Sequence, residues 1–141
     1  MVLLAAIFVP CIFEPVPALA DTPVTIRMGG RYISAELNGS APARELARRL
    51  PMTIRMNCLR DREYYGDPIH RCPSEQGARQ QSFEDGDIAY WLRGRLLAVF
   101  FDKAMDLGLL SPVIVIGRVT SCLEVFKGLG ADEEMTLEVK R

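Results

Sequence analysis

GDIAYWLRGRLLAVFF, residues 86–101, decides the fold class. Its aromatic and aliphatic residues are broken once, at Arg93-Gly94, and read as two strands, residues 88–92 and 95–101, joined by a tight hairpin. Successive side chains on a strand face opposite sides, so of Tyr90 and Trp91 one ring points inward and the other outward. Spacing leaves open which ring does which.

The same period of two recurs on both sides of this hairpin. Upstream, Val24, Ile26 and Met28 alternate with polar residues, Gly29-Gly30 turns the chain, and Ile33, Ala35 and Leu37 resume, so residues 23–37 read as a second hairpin. Ser40 is then a candidate N-cap. Pro42 in the first turn and Leu46, Ala47 and Leu50 at helical spacing predict a short helix that Pro51 ends. Met52, Ile54 and Met56 make a third strand running into a loop from Cys58 to Gly66. Residues 67–87, with Pro68, Pro73, Gly77 and Gly86 and few apolar side chains, predict irregular surface structure, the place where local function is expected.

Downstream, Val113-Ile114-Val115-Ile116 is apolar on both faces, as a fully covered strand requires. Ser121 and Glu124 match a capping box, and Leu123, Phe126 and Leu129 lie on one helical stripe. Met135, Leu137 and Val139 end the chain as a strand able to pair with the first. About seven short strands and two helices predict a mainly β fold, an antiparallel barrel or sandwich with the helices over its ends.

At 141 residues the chain has room for one domain. The 49% apolar share supports a real core, and 17 basic against 18 acidic residues leave a net charge of −1 with no basic stripe, which argues against nucleic acid as a partner. Residues 1–20, MVLLAAIFVPCIFEPVPALA, are nearly all apolar and end in Ala18-Leu19-Ala20, the small-x-small pattern of a signal-peptide cleavage site. Cleavage before Asp21 predicts a periplasmic or secreted domain of residues 21–141 without stable membrane insertion. The absent basic n-region and Glu14 speak against it, and a start-site artefact would make the protein cytoplasmic. Lipidation at Cys11 fits less well, because Phe8-Val9-Pro10 precedes it where small residues belong.

Three cysteines follow this segment. Cys58 and Cys72 flank one loop and are the disulfide candidates, whereas Cys122, at the start of a helix with an apolar face, reads as a buried thiol. No C-x-x-C or Cys/His cluster suggests a metal, and EDGD at 84–87 reads as a turn and not a calcium loop. No phosphate loop, dinucleotide fingerprint or nucleophile elbow implies a cofactor or hydrolase chemistry. His70, the single histidine, lies near Asp67 and, with Arg60, forms the weak catalytic set. Tyr64, Tyr65, Trp91 and Phe101 are the candidates for lining a ligand groove, since amphipathic rings bind with face and hydroxyl.

GDIAYW, LLAVFFDKA and SPVIVIGRV, in this order and spacing, resemble small prokaryotic cyclophilin-like proteins of largely unassigned role, over residues 24–140. The resemblance implies a small closed β-barrel capped by two short helices. It places Phe101 where cyclophilins have a phenylalanine lining the proline pocket. It also places Val99 at their glutamine, Val113 at their histidine and Gly108 at their tryptophan, while Arg60 or Arg62 are the only stand-ins for their arginine. The expectation is therefore a binding module for a peptide segment or small ligand in an aromatic-lined groove. The alternative is a divergent peptidyl-prolyl isomerase, which would lack most placed donors that such catalysis uses.

Overall fold

A computed structural model describes residues 2–11, 20–68, 75–105 and 108–141. Nine strands form in chain order: β1 Thr22–Met28, β2 Arg31–Leu37, β3 Met52–Leu59, β4 Glu63–Gly66, β5 Arg79–Gln80, β6 Asp87–Trp91, β7 Leu96–Phe100, β8 Val113–Val119 and β9 Asp132–Val139. They are ordered β2-β1-β9-β3-β4-β7-β6-β8, and β8 pairs back onto β2, which closes an eight-stranded antiparallel barrel. β8 shares one edge between two partners: its first residues pair with β5, its last with β2.

The alternation read from sequence is the alternation of the barrel wall. Val24, Ile26 and Met28, Ile33, Ala35 and Leu37, Ile54 and Met56, and Met135 and Leu137 all enter one buried core. β9 does pair with β1, and with β3 on its other side. Ile88 and Tyr90 of β6 face inward with Leu97 and Val99 of β7, so Trp91 is the ring that faces out. At Gly66 a Cβ would collide with the Arg55 carbonyl and the Met56 sulfur, so close approach of β3 and β4 requires glycine there.

The helix α1, Ala41–Arg48, forms where expected: Asn38 Oδ1 accepts from the Ser40 amide at 3.0 Å, Ser40 Oγ from the Ala43 amide at 3.4 Å, and Pro42 sits in the first turn. Ala43 and Leu46 join the core at the end of the barrel where β2 finishes and β3 begins. A six-residue 3-10 helix, Leu123–Gly128, covers the opposite end and buries Phe126.

Five expectations are corrected. The second helix is 3-10 and not α, because Cys122 takes a left-handed conformation (φ 56°) and Ser121 Oγ accepts from the Ser34 amide at 3.2 Å instead of capping. Cys122 is consequently exposed, not buried. Residues 58–66 are not a loop but the end of β3, a turn and β4. The β6–β7 connection pairs Trp91 with Leu96 and so spans four residues. The stretch 67–87 is not wholly superficial either, since Phe83 is buried against the outside of the barrel, stacked on Phe100 with centroids 4.2 Å apart.

The N-terminal residues 2–11 form no helix or strand, and Val2, Leu3, Leu4, Ile7, Phe8 and Val9 are all exposed.

Candidate functional site

Tyr64 on β4 and Phe101 just after β7 are brought together because both point into the barrel on neighbouring strands. Their ring centroids are 5.6 Å apart, and Phe126 lies 6.1 Å from each. These three buried rings floor a cavity of about 220 Å3 whose walls are Cys58 and Asp61 from the β3–β4 hairpin, Asp102 and Met105 after β7, and Lys127 and Leu129 from the 3-10 segment. A neighbouring hollow of about 260 Å3 shares Cys58, Asp61 and Leu129 and adds Arg60, Gly130 and Ala131. The two form one cleft at the barrel end opposite α1.

Two larger hollows, of about 450 and 470 Å3, lie elsewhere. The first, between Tyr32, Leu50, Pro51 and the C-terminal residues, has no buried side chain in its lining; the second, around Arg27, Arg55 and Asp132, has only Met28. They are troughs between the solvated side chains of the outer sheet face. An apolar floor with a polar rim is the usual form of a binding site, and of these hollows among the described residues the barrel-end cleft is the one that has it.

The site is held from two sides. The Phe101 amide donates to the Arg62 carbonyl at 2.9 Å, tying the strand end that carries the ring to the β3–β4 hairpin. Tyr64 Oη donates to the Gly130 carbonyl at 2.6 Å, tying the hairpin to the segment after the 3-10 helix. On the rim, Lys127 Nζ faces Asp102 Oδ2 at 3.6 Å, and Asp102 Oδ1 accepts from the Ala104 amide at 3.0 Å.

Electrostatically, the cleft keeps its acids protonated where they are buried. Burial pushes the Cys58 thiol above its ordinary value, opposed by a hydrogen bond from the Asp61 backbone; the thiol lies 4.0 Å from Asp61 Oδ1. Burial also pushes the Tyr64 hydroxyl up to about 12, helped by Cys58 and Glu133. A neutral thiol and a neutral phenol are neither activated nucleophile nor base, so these groups shape the cleft and supply donors.

The raised Tyr64 value has a consequence for stability. The folded protein holds a proton that the unfolded chain releases above about pH 10, so this contribution is intact below pH 10 and declines as pH rises toward about 12. Tyr64→Phe is expected to lose about 0.5–1.5 kcal/mol at neutral pH with the Gly130 hydrogen bond. Its deficit should shrink across the alkaline window, read by urea denaturation at several pH values.

The four rings expected to line one groove do not converge. Tyr64 and Phe101 belong to the interior cluster, whereas Tyr65 and Trp91 pack outside the barrel against Phe83, Ala89, Ala98, Phe100 and Val113. The reason is register: Tyr64 and Tyr65 are consecutive on one strand and must face opposite ways. Of the weak catalytic set, Arg60 lies on the cleft, while Asp67 follows β4 and is separated from it by about 13 Å of strand. His70 and Cys72 lie outside the described residues, and Cys58 carries a free thiol.

Arg62 stands outside the cleft altogether. It is buried on the barrel's outer face, paired with Glu63 Oε1 at 2.6 Å, donating to the Gly108 carbonyl at 3.2 Å and resting 5.7 Å from the centre of the Phe83 ring. Val99 is sealed in the barrel and Val113 faces the outer cluster. Asp61, Asp102, Met105, Phe126, Lys127 and Leu129 line the cleft without having stood out in the sequence as site candidates. Apolar periodicity marked Phe126 and Leu129 as inward-facing; the rim charges come together only through the barrel's closure.

Comparison with known proteins agrees with this architecture. The model of the Cyclophilin-like family matches residues 26–140. The chain is also similar to a hypothetical protein from Archaeoglobus fulgidus, whose structure was determined in solution, with a TM-score of 0.69 and 26% identity over 85% of this chain and 95% of that one. No curated protein matches.

Proposed function

Because the chain belongs to the cyclophilin-like family, we propose that it is a binding module whose barrel-end cleft receives the small apolar side chain of a peptide segment. The observation that carries this reading is the position of Phe101, which forms the cleft floor with Tyr64 and Phe126. Fold alone assigns no activity, so the site must supply the argument. At about 220 Å3 the inner cavity is below the roughly 300–1,000 Å3 of pockets that engulf a whole drug-sized ligand. It suits one side chain, with the adjoining hollow of about 260 Å3 for the neighbouring backbone.

Proline isomerisation is not favoured. The positions that the resemblance aligns with the glutamine and histidine carry Val99 and Val113, neither of which has a donor, and Val113 packs outside the barrel. Arg62 is committed to Glu63. The exposed apolar segment at residues 2–11 supports the further reading that residues 1–20 are an export signal removed by cleavage before Asp21.

The test is calorimetric titration of short proline-containing peptides into the protein and into Phe101→Leu, a swap close enough in volume to keep the fold. Micromolar to millimolar binding that falls about tenfold in the variant is expected, since the ring's face is lost. Equal affinity in both proteins overturns the assignment of the cleft. A protease-coupled isomerisation assay on the same protein should show no acceleration.

A further inference from the structure

The turn between β3 and β4 is the most strained part of the cleft. Leu59 O accepts from the Arg62 amide at 3.0 Å, and the two central residues, Arg60 and Asp61, both have φ of 54°. That conformation favours Asn-Gly, because a Cβ is disfavoured at positive φ. Here two bulky charged residues occupy it in succession. Backbone strain of this kind persists where side chains are needed in place.

Asp61 is what the strain delivers to the site. It lines both the inner cavity and the adjoining hollow, at the junction between them. The inner cavity carries three charged side chains: Asp61, Asp102 and Lys127. Lys127 already faces Asp102 at 3.6 Å. Asp61 has no cationic partner among the described residues; its contact is the Cys58 thiol at 4.0 Å, which burial keeps neutral. Arg60 borders only the outer hollow.

Resting on the binding reading above, we propose that Asp61 is a specificity residue: the cleft selects peptide segments in which a lysine or arginine flanks the small apolar residue that enters the cavity. The apolar side chain is held by Tyr64, Phe101 and Phe126, and the neighbouring cation meets the Asp61 carboxylate at the mouth. A flanking acid would face the same carboxylate and be rejected.

The experiment uses three capped tetrapeptides with a single proline, identical except for Lys, Ala or Glu beside it, titrated calorimetrically into the full chain and into Asp61→Asn. Asparagine tolerates the left-handed turn, so the variant loses charge and keeps shape. In the native protein the Lys peptide should bind about two- to fivefold more tightly than the Ala peptide, the range of a solvent-exposed ion pair. That margin, read as the ratio of Lys- to Ala-peptide affinity within each protein, should shrink in concentrated salt and vanish in Asp61→Asn. Binding of all three peptides with equal affinity, or a Lys preference that survives in Asp61→Asn, overturns the selectivity and leaves the cleft reading standing. Failure of every peptide to bind overturns both.

Discussion

Glu63→Ala is expected to destabilise the protein by about 3–5 kcal/mol, the cost of removing one partner of a buried, hydrogen-bonded ion pair. Glu63 is fully buried, and Arg62 donates to its Oε1 through Nη2 at 2.6 Å and Nε at 3.1 Å. The carbonyl of Gly108 and the face of Phe83 are further contacts of the cation. An exposed pair such as Arg55 with Asp132, at a comparable 2.7 Å, should by contrast change stability little when broken, because solvent screens both charges. Burial, and not separation, decides between them. The measurement is the urea midpoint, with Arg62→Met/Glu63→Leu as companion. Because apolar replacement of a whole buried pair is commonly neutral or better, the double variant should recover most of the loss. A Glu63→Ala protein within about 1 kcal/mol of the parent would mean that solvent reaches this pair.

The second large effect belongs to Phe126. The 3-10 helix Leu123–Gly128 is six residues long, and Phe126 is the single side chain that it fully buries. Too short to be held by its own hydrogen bonds, the segment is held by this ring. Phe126→Ala is expected to lose about 3–5 kcal/mol, through lost burial plus the cavity left between Tyr64 and Phe101. It should also abolish peptide binding in titrations run well below the unfolding midpoint, because the ring is part of the cleft floor and Lys127 of its wall. Unchanged affinity in the folded variant would show that the 3-10 segment does not shape the site.

The wall strands were legible in the chain because each buries one face, whereas their closure into a barrel and not a sandwich was implied only by the family resemblance. Val24-Ile26-Met28 or Ile33-Ala35-Leu37 announces its inward side by period alone, and Gly29-Gly30 supplies the turn between them. The β3–β4 hairpin escaped that logic. Its turn is Arg60-Asp61, which carries no glycine or asparagine, and its strand pair Glu63 and Tyr64 places a charge outside and a phenol inside, both buried. Alternation fails as a signal when both faces are covered, and here the outer face is covered by Phe83 from a segment poor in apolar residues.

Capping chemistry misled in a similar way. Ser121 and Glu124 have the spacing of a capping box, but the serine hydroxyl is taken by the Ser34 amide of a strand 87 residues away. Such a competitor is invisible until the barrel closes. The site was half legible: Tyr64 stood out for its amphipathic ring and Phe101 through the family resemblance, whereas Asp61, Asp102 and Lys127 are neighbours only in space.

The proposed cleft admits ligand over Phe101, between the β3–β4 turn and the 3-10 segment. Its most direct test is an amide chemical-shift titration of the isotope-labelled full chain with the lysine-bearing proline peptide. The largest perturbations are expected on Asp61, Tyr64, Phe101, Phe126 and Lys127. Perturbations gathered instead on Tyr65 and Trp91 across the barrel wall, or none at saturating peptide, would contradict it.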